Sequence, residues 1–216
     1  MSDSPMVGVM SAPAGTSFSE QIRRCFADLT PEAPIAAART AAIALILLEV
    51  EGSLELLLIE RATREGDPWS GHMALPGGHR DAADSDLGVT AERETLEEVG
   101  LDLRVRGERV GRLSDVMPIR GVPIAVRPYV YLLQTRPSLL LSAEVRQALW
   151  VPVAPLLTGA GHTTYTFSRG DQSFELPAWN IDGRLVWGLT YRVLDEFFRR
   201  FNALLKSPGP GLDNSH

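Results

Sequence analysis

The chain has 216 residues, 44% of them hydrophobic, a net charge of −6 and a single cysteine. That length and apolar content suit one globular domain with extensions. The acidic balance argues against a general nucleic-acid or membrane binder, whose footprint would be a basic patch, and a lone Cys25 excludes an internal disulfide or a cysteine-rich zinc site.

In chain order, residues 1–15 are rich in Ser, Pro, Gly and Ala and are expected to be poorly ordered. They have neither a basic n-region nor an apolar h-region, so no signal peptide is expected and the cytoplasm is the default location. From Ser17 a short amphipathic helix is predicted, with Phe18, Ile22, Cys25 and Phe26 on one stripe, packed on the domain or on a partner subunit. Pro31 and Pro34 mark a linker, which divides an N-terminal extension (1–35) from a main domain (36–206). Ala41 to Leu48 reads as a strand buried on both faces, and the run from Thr40 to Val50 is too short to span a bilayer. Leu54 to Arg61 is a second strand, joined to the first by a hairpin at Glu51-Gly52-Ser53. Ala62 to Gly71 is a loop by its Gly, Pro and Asp content. His72 to Leu75 is a short strand that leads into a tight Gly77-Gly78 turn, where the missing Cβ permits close backbone approach.

A helix is predicted from about Asp86 to Val99, capped by Asp84 or Ser85 and ended by Gly100 at C′. At about 100° per residue, Glu94, Glu97 and Glu98 share one face. Val89, Thr95, Leu96 and Val99 lie opposite, with Glu92 also on the apolar side. Stacked like charges cost a few tenths of a kcal/mol per pair. A hard divalent cation would offset them; a solvated acidic face is the ordinary alternative. Further on, Val110 to Leu113 is extended, and Ala125 to Leu133 is a strand whose Pro128 suggests an edge or a bulge. Ala148 to Pro152 is another strand, Ala154 to Leu157 a helical turn, and Gly159 to Gly170 a polar loop carrying His162, Tyr165 and Arg169. Phe174 to Trp179 suggests a late hairpin. Tyr191 to Leu205 is a helix with Val193, Leu194, Phe197, Phe198, Phe201 and Leu205 at helical spacing. Ser207 to His216 reads as a disordered tail.

The run Gly77-Gly78, a loop, then Arg93-Glu94-Thr95-Leu96-Glu97-Glu98-Val99-Gly100-Leu101 resembles the box of the Nudix hydrolases. Thr95 stands where an aliphatic residue is usual, and the loop is one residue longer than the common pattern. That lengthened loop is similar to the coenzyme A pyrophosphatase branch. So are Arg61, Arg64 and Gly71 ahead of the Gly-Gly pair, and the Trp187-Gly188-Leu189-Thr190 run at the last helix, although Leu75 replaces a Phe. The resemblance implies an α/β/α sandwich with a mixed sheet and a Mg²⁺ or Mn²⁺ site made by Glu94, Glu97, Glu98 and the Gly77 carbonyl. It also implies that Arg93 orients the glutamates, and that a general base comes from a box glutamate or from Glu144. Arg61 and Arg64 become candidates for a substrate phosphate, with Gly78 beside it, and Asp84 either caps the helix or joins the metal. The implied substrate is coenzyme A or an acyl derivative, cleaved to 3′,5′-ADP and 4′-phosphopantetheine. Another nucleoside diphosphate derivative is the alternative, as is a binding module without turnover. A homodimer is possible; neither nucleic acid nor membrane is expected as a partner.

Overall fold

The computed structural model describes residues 17–27, 37, 39–63, 71–117, 123–169 and 172–206. The first segment, the Pro31/Pro34 linker, Arg64 with most of its loop, and the C-terminal tail lie outside them. Two long strands found the fold. β1 (Arg39–Val50) and β2 (Ser53–Arg61) form a hairpin with Leu47 opposite Leu56. Its turn residues Glu51 and Gly52 both have left-handed φ, 50° and 75°, the geometry that matches strand twist. β6 (Ile124–Leu133) runs parallel to β1 on the other side, and β5 (Gly107–Arg112) closes that edge antiparallel to β6. β3 (Met73–Ala74) and β7 (Val145–Pro152) both pair with β2. β4 (Gly77–His79) pairs with β1, completing a mixed seven-stranded sheet.

Helices cover both faces. Leu45, Leu47, Leu56 and Leu58 pack with α1 (Phe18–Cys25) and α5 (Gly188–Lys206). The alternate residues Ala44, Ile46, Leu57 and Ile59 pack with Leu87, Ala91 and Val99 of α2 (Leu87–Val99). This is the α/β/α sandwich with a mixed sheet that the sequence led us to expect. α1 is seated firmly: Ser17 and Glu20 form a capping box, and the amides of Phe18 and Ser19 donate to the Glu49 carboxylate at the end of β1 at 3.1 and 2.9 Å. Phe26 stacks on Phe197, and Arg23 grips Glu108 on β5. α3 (Leu103–Arg106) and α4 (Val153–Leu157) are short connectors. No helix among the described residues is long and apolar enough to cross a membrane.

Several expectations are corrected. Gly77-Gly78 is a strand, not a turn, because its backbone lies against Ala42 and Ile43. Pro128 sits in central β6, where Leu113, just past the end of β5, donates to its carbonyl; the missing N–H forgoes only the return bond to Leu113. The Gly159–Gly170 stretch is mostly β8 (His162–Arg169), paired with β9 (Gln172–Ile181) and followed by β10 (Arg184–Trp187) in a second, three-stranded sheet. Thr-rich alternation was masked there by flanking glycines. α3 was not foreseen, and Leu96, placed on the buried side, is 40% exposed.

Candidate active site

Helix α2 carries the acidic face. Asp86, not Asp84 or Ser85, is its N-cap and accepts from the Val89 amide at 3.0 Å. Gly100 ends it in the left-handed region, φ 69°. The glutamates form a gradient of burial: Glu97 exposed, Glu94 half-buried, Glu98 only 6% exposed. Glu98 Oε2 accepts the Gly77 amide at 2.9 Å. Burial nevertheless pushes its carboxyl up from 4.5 to about 7; the Gly77 amide and Arg61 oppose the rise, while Glu94 and Glu144 add to it. Burial also raises Glu94, against the pull of Arg93 and with help from Glu97 and Glu144.

Arg93 is the hub of the charge network. Its Nε and Nη2 grip both oxygens of Asp84 at 3.1 and 3.0 Å, and Nη2 also donates to the His79 carbonyl at 3.0 Å. Nη1 reaches Glu94 at 2.9 Å and Glu97 at 3.3 Å. Asp84, 4% exposed, further accepts the Asp81 amide and the Thr90 hydroxyl, each at 2.9 Å. Three of these donors share Oδ2 and Arg93 Nε takes Oδ1, so Asp84 is committed chiefly to anchoring Arg93 and the turn. Arg93 above all holds its carboxyl down to about 2. That Asp84 anchors Arg93 is not legible in residue order, since they are nine residues apart and meet only because the start of α2 brings them together.

The two glycines serve different ends. At Gly77, φ 147°, a Cβ would lie 2.3 Å from the Ala42 carbonyl oxygen and 2.5 Å from the Ile43 Cα. At Gly78 it would meet only the Glu94 carboxylate, at 2.5 Å. Arg61 lies opposite Val145 at the end of β2, on the α2 face. Glu144 is exposed in the turn before β7; its carbonyl accepts the Ala62 amide at 2.8 Å, and the Ser142 amide donates to the Glu98 carbonyl at 2.9 Å, which ties this turn to the end of α2. Glu94, Glu98, Arg61, Gly77, Gly78 and Glu144 therefore converge, with Glu97 at the rim; Arg64 is outside the described residues. A pair not foreseen, Tyr131 donating to Glu92 at 3.1 Å, explains how Glu92 tolerates its position on the inner side of α2.

Among the described residues, no three acidic groups are preassembled around one point, because Glu98 is drawn to Gly77 while Arg93 lies on Glu94 and Glu97. The donors are all hard oxygens under mutual repulsion. They fit a cation that takes one or two carboxylates and completes its shell with water and substrate oxygens, as Mg²⁺ does.

Comparison with known proteins shows the family. Residues 38–168 match the model of the NUDIX domain. The mitochondrial coenzyme A diphosphatase NUDT8 of Homo sapiens is 35% identical over 161 residues, 73% of this chain and 67% of the human protein. An uncharacterized protein of Schizosaccharomyces pombe is 45% identical over 108 residues, 47% of this chain and only 33% of the yeast protein. The crystal structure of a MutT/nudix family protein from Enterococcus faecalis superimposes with a TM-score of 0.50 at 18% identity, covering 88% of this chain and 70% of that one. The mixed sheet with helices on both faces is thus that of a known domain, and the chain belongs to the Nudix family.

Proposed function

We propose that this protein is a Mg²⁺- or Mn²⁺-dependent pyrophosphohydrolase that cleaves coenzyme A or its acyl derivatives to 3′,5′-ADP and (acyl-)4′-phosphopantetheine. The observation that carries the enzymatic reading is the buried Glu98, raised chiefly by burial and further by Glu94 and Glu144 beside it, the kind of perturbed acid that marks a functional site. The coenzyme A assignment draws on the similarity to human NUDT8 and on the Arg61 position.

Glu94, Glu97, Glu98 and the Gly77 carbonyl would hold the cation, which would supply charge neutralisation on the phosphates and a more acidic water. Arg93, anchored on Asp84, holds Glu94 and Glu97 close together on one face of α2, and their oxygens would be drawn from Arg93, and that of Glu98 from the Gly77 amide, toward the cation. Glu144, exposed and backed by two carboxylates, accepts the proton of the attacking water. The water oxygen bonds to phosphorus, the bridging P–O bond breaks, and its electron pair leaves with the departing phosphate. Arg61, and Arg64 beyond the described residues, are suited to a phosphate oxygen pair. Gly78, with no Cβ, leaves the space that the Glu94 carboxylate itself occupies.

The test is a substrate panel of coenzyme A, ADP-ribose, NADH, diadenosine polyphosphates and nucleoside triphosphates with Mg²⁺ or Mn²⁺, products resolved by mass. Cleavage of coenzyme A at the anhydride is the expected result. Cleavage of ADP-ribose alone replaces the substrate, and metal binding without any cleavage replaces the enzyme with a ligand-binding module.

A further inference from the structure

A row of side chains leads from the acidic site to an aromatic surface, all on the α2 side of the sheet. Leu57 and Ile59 of β2 point into the α2-side core, so Arg61 points the same way. The β2–β3 register sets Ile59 opposite Ala74 and Glu60 opposite Met73, and the Arg61 amide donates to the His72 carbonyl at 3.0 Å. His72 therefore stands beside Arg61 on the same face. Beyond it the three-stranded sheet takes over. β10 turns Val186 into the core and Arg184 toward Glu60, 3.6 Å away, which leaves Trp187 facing the α2 side. The Trp187 ring stands edge-on to His72 at 5.0 Å, stacks on Tyr165 at 4.3 Å and lies 5.7 Å from Phe167. The β8–β9 register adds Leu176 and Phe174 to that face, and all five apolar side chains are half-buried. An antiparallel sheet ordinarily buries one apolar face and shows a polar one. Here the opposite face already supplies Trp179 and Val186 to the core, so fold stability does not account for a second apolar face.

We propose that this surface, chiefly Trp187 and Tyr165, is the subsite that stacks the heteroaromatic base of the nucleotide substrate, with Arg61 between base and scissile phosphates. The proposal rests on the reading of the site as one for nucleoside diphosphate derivatives. Three features select a base as occupant. The surface is continuous with the phosphate end through Arg61 and His72. Its side chains are rings, whose faces and edges suit a flat heterocycle. Five Cα–Cα steps lead from His72 to Gly77, at most about 18 Å, a span that a nucleoside joined to a pyrophosphate bridges.

The test uses AMP, which has no anhydride to cleave, and inorganic phosphate as the probe without a base, each titrated calorimetrically into the full chain with Mg²⁺. AMP should bind at least tenfold tighter than phosphate. Trp187→Leu should remove that advantage while leaving phosphate binding unchanged, Trp187→Phe should restore most of it, and Tyr165→Leu should weaken AMP several-fold. The tyrosine and phenylalanine variants keep the test valid if Trp187→Leu fails to fold. AMP binding no tighter than phosphate, or unaltered in Trp187→Leu and Tyr165→Leu, overturns the proposal. Loss of acyl-coenzyme A affinity with AMP unaffected also overturns it, by giving the surface to the acyl arm. These outcomes are read from AMP, so failure of coenzyme A cleavage in the substrate panel is a separate result.

Discussion

Replacing Glu98 with Gln should stabilise the metal-free protein, and the effect should depend on pH. Gln keeps an oxygen for the Gly77 amide and removes only the charge. In the folded chain this carboxyl is raised from 4.5 to about 7, chiefly by burial. Its favourable contribution is therefore fully present below about pH 4.5 and is lost as the pH rises through about 7. Above that pH, burying the ionised group costs about 3 kcal/mol. Glu98→Gln should recover most of this at pH 8 and nothing at pH 4. In a chain of this length, that is a rise in Tm of about 6–10 °C. Thermal unfolding in EDTA from pH 4 to 8.5 measures the gap. Adding Mg²⁺ should then stabilise the parent through mass action and leave the variant behind. A variant less stable than the parent at pH 8 in EDTA, or a gap that does not change with pH, would refute the account of Glu98 as an electrostatic burden kept for its ligand.

Gly78→Ala should cost about 1 kcal/mol, because the atoms nearest the added Cβ are the side-chain end of Glu94 and not backbone, yet lower kcat tenfold or more by displacing that carboxylate. Gly77→Ala meets backbone at under 3 Å and should lose 2 kcal/mol or more, on the order of a core overpacking defect, in a urea melt. Asp84→Asn should destabilise by about 2 kcal/mol, as expected for a pair with one buried partner. Because Asp84 is depressed to about 2, that gap should persist above pH 4 and close as the pH falls toward 2. Glu144→Gln should lower kcat by about 10² or more with little change in metal affinity; unchanged turnover removes Glu144 from the chemistry.

The strands and helices that carry a strong period were legible from residue order. β1 is apolar on both faces and is buried on both; α5 repeats Val193, Leu194, Phe197 and Phe201 at helical spacing and buries all four. The glutamate face was legible for the same reason, since α2 fixes it geometrically. What sequence reading missed depends on partners distant in the chain. Gly77 and Gly78 read as a turn because glycine's permissiveness is visible locally, whereas the β1 backbone against which they pair is not. Asp84 read as a cap because nothing in the loop discloses that Arg93 folds back onto it. Burial of Glu98 beyond Glu97, on which the electrostatics of the site turn, depends on Gly77 and on the Ser142 turn. Neither is within a helical turn of it.

The seating of α1 bears on where this protein can be cut. The family match begins at residue 38, and a chain started there would look complete by alignment. It would nevertheless strip Phe18, Ile22 and Phe26 from a core they share with Phe197 and Phe201, leaving an apolar scar on α5 and an unanswered carboxylate at Glu49. Such a scar favours self-association. A shortened chain that begins at Ser17 should stay monodisperse where one that begins at residue 38 precipitates, an outcome that would put the start of the stable folded unit well upstream of the family boundary.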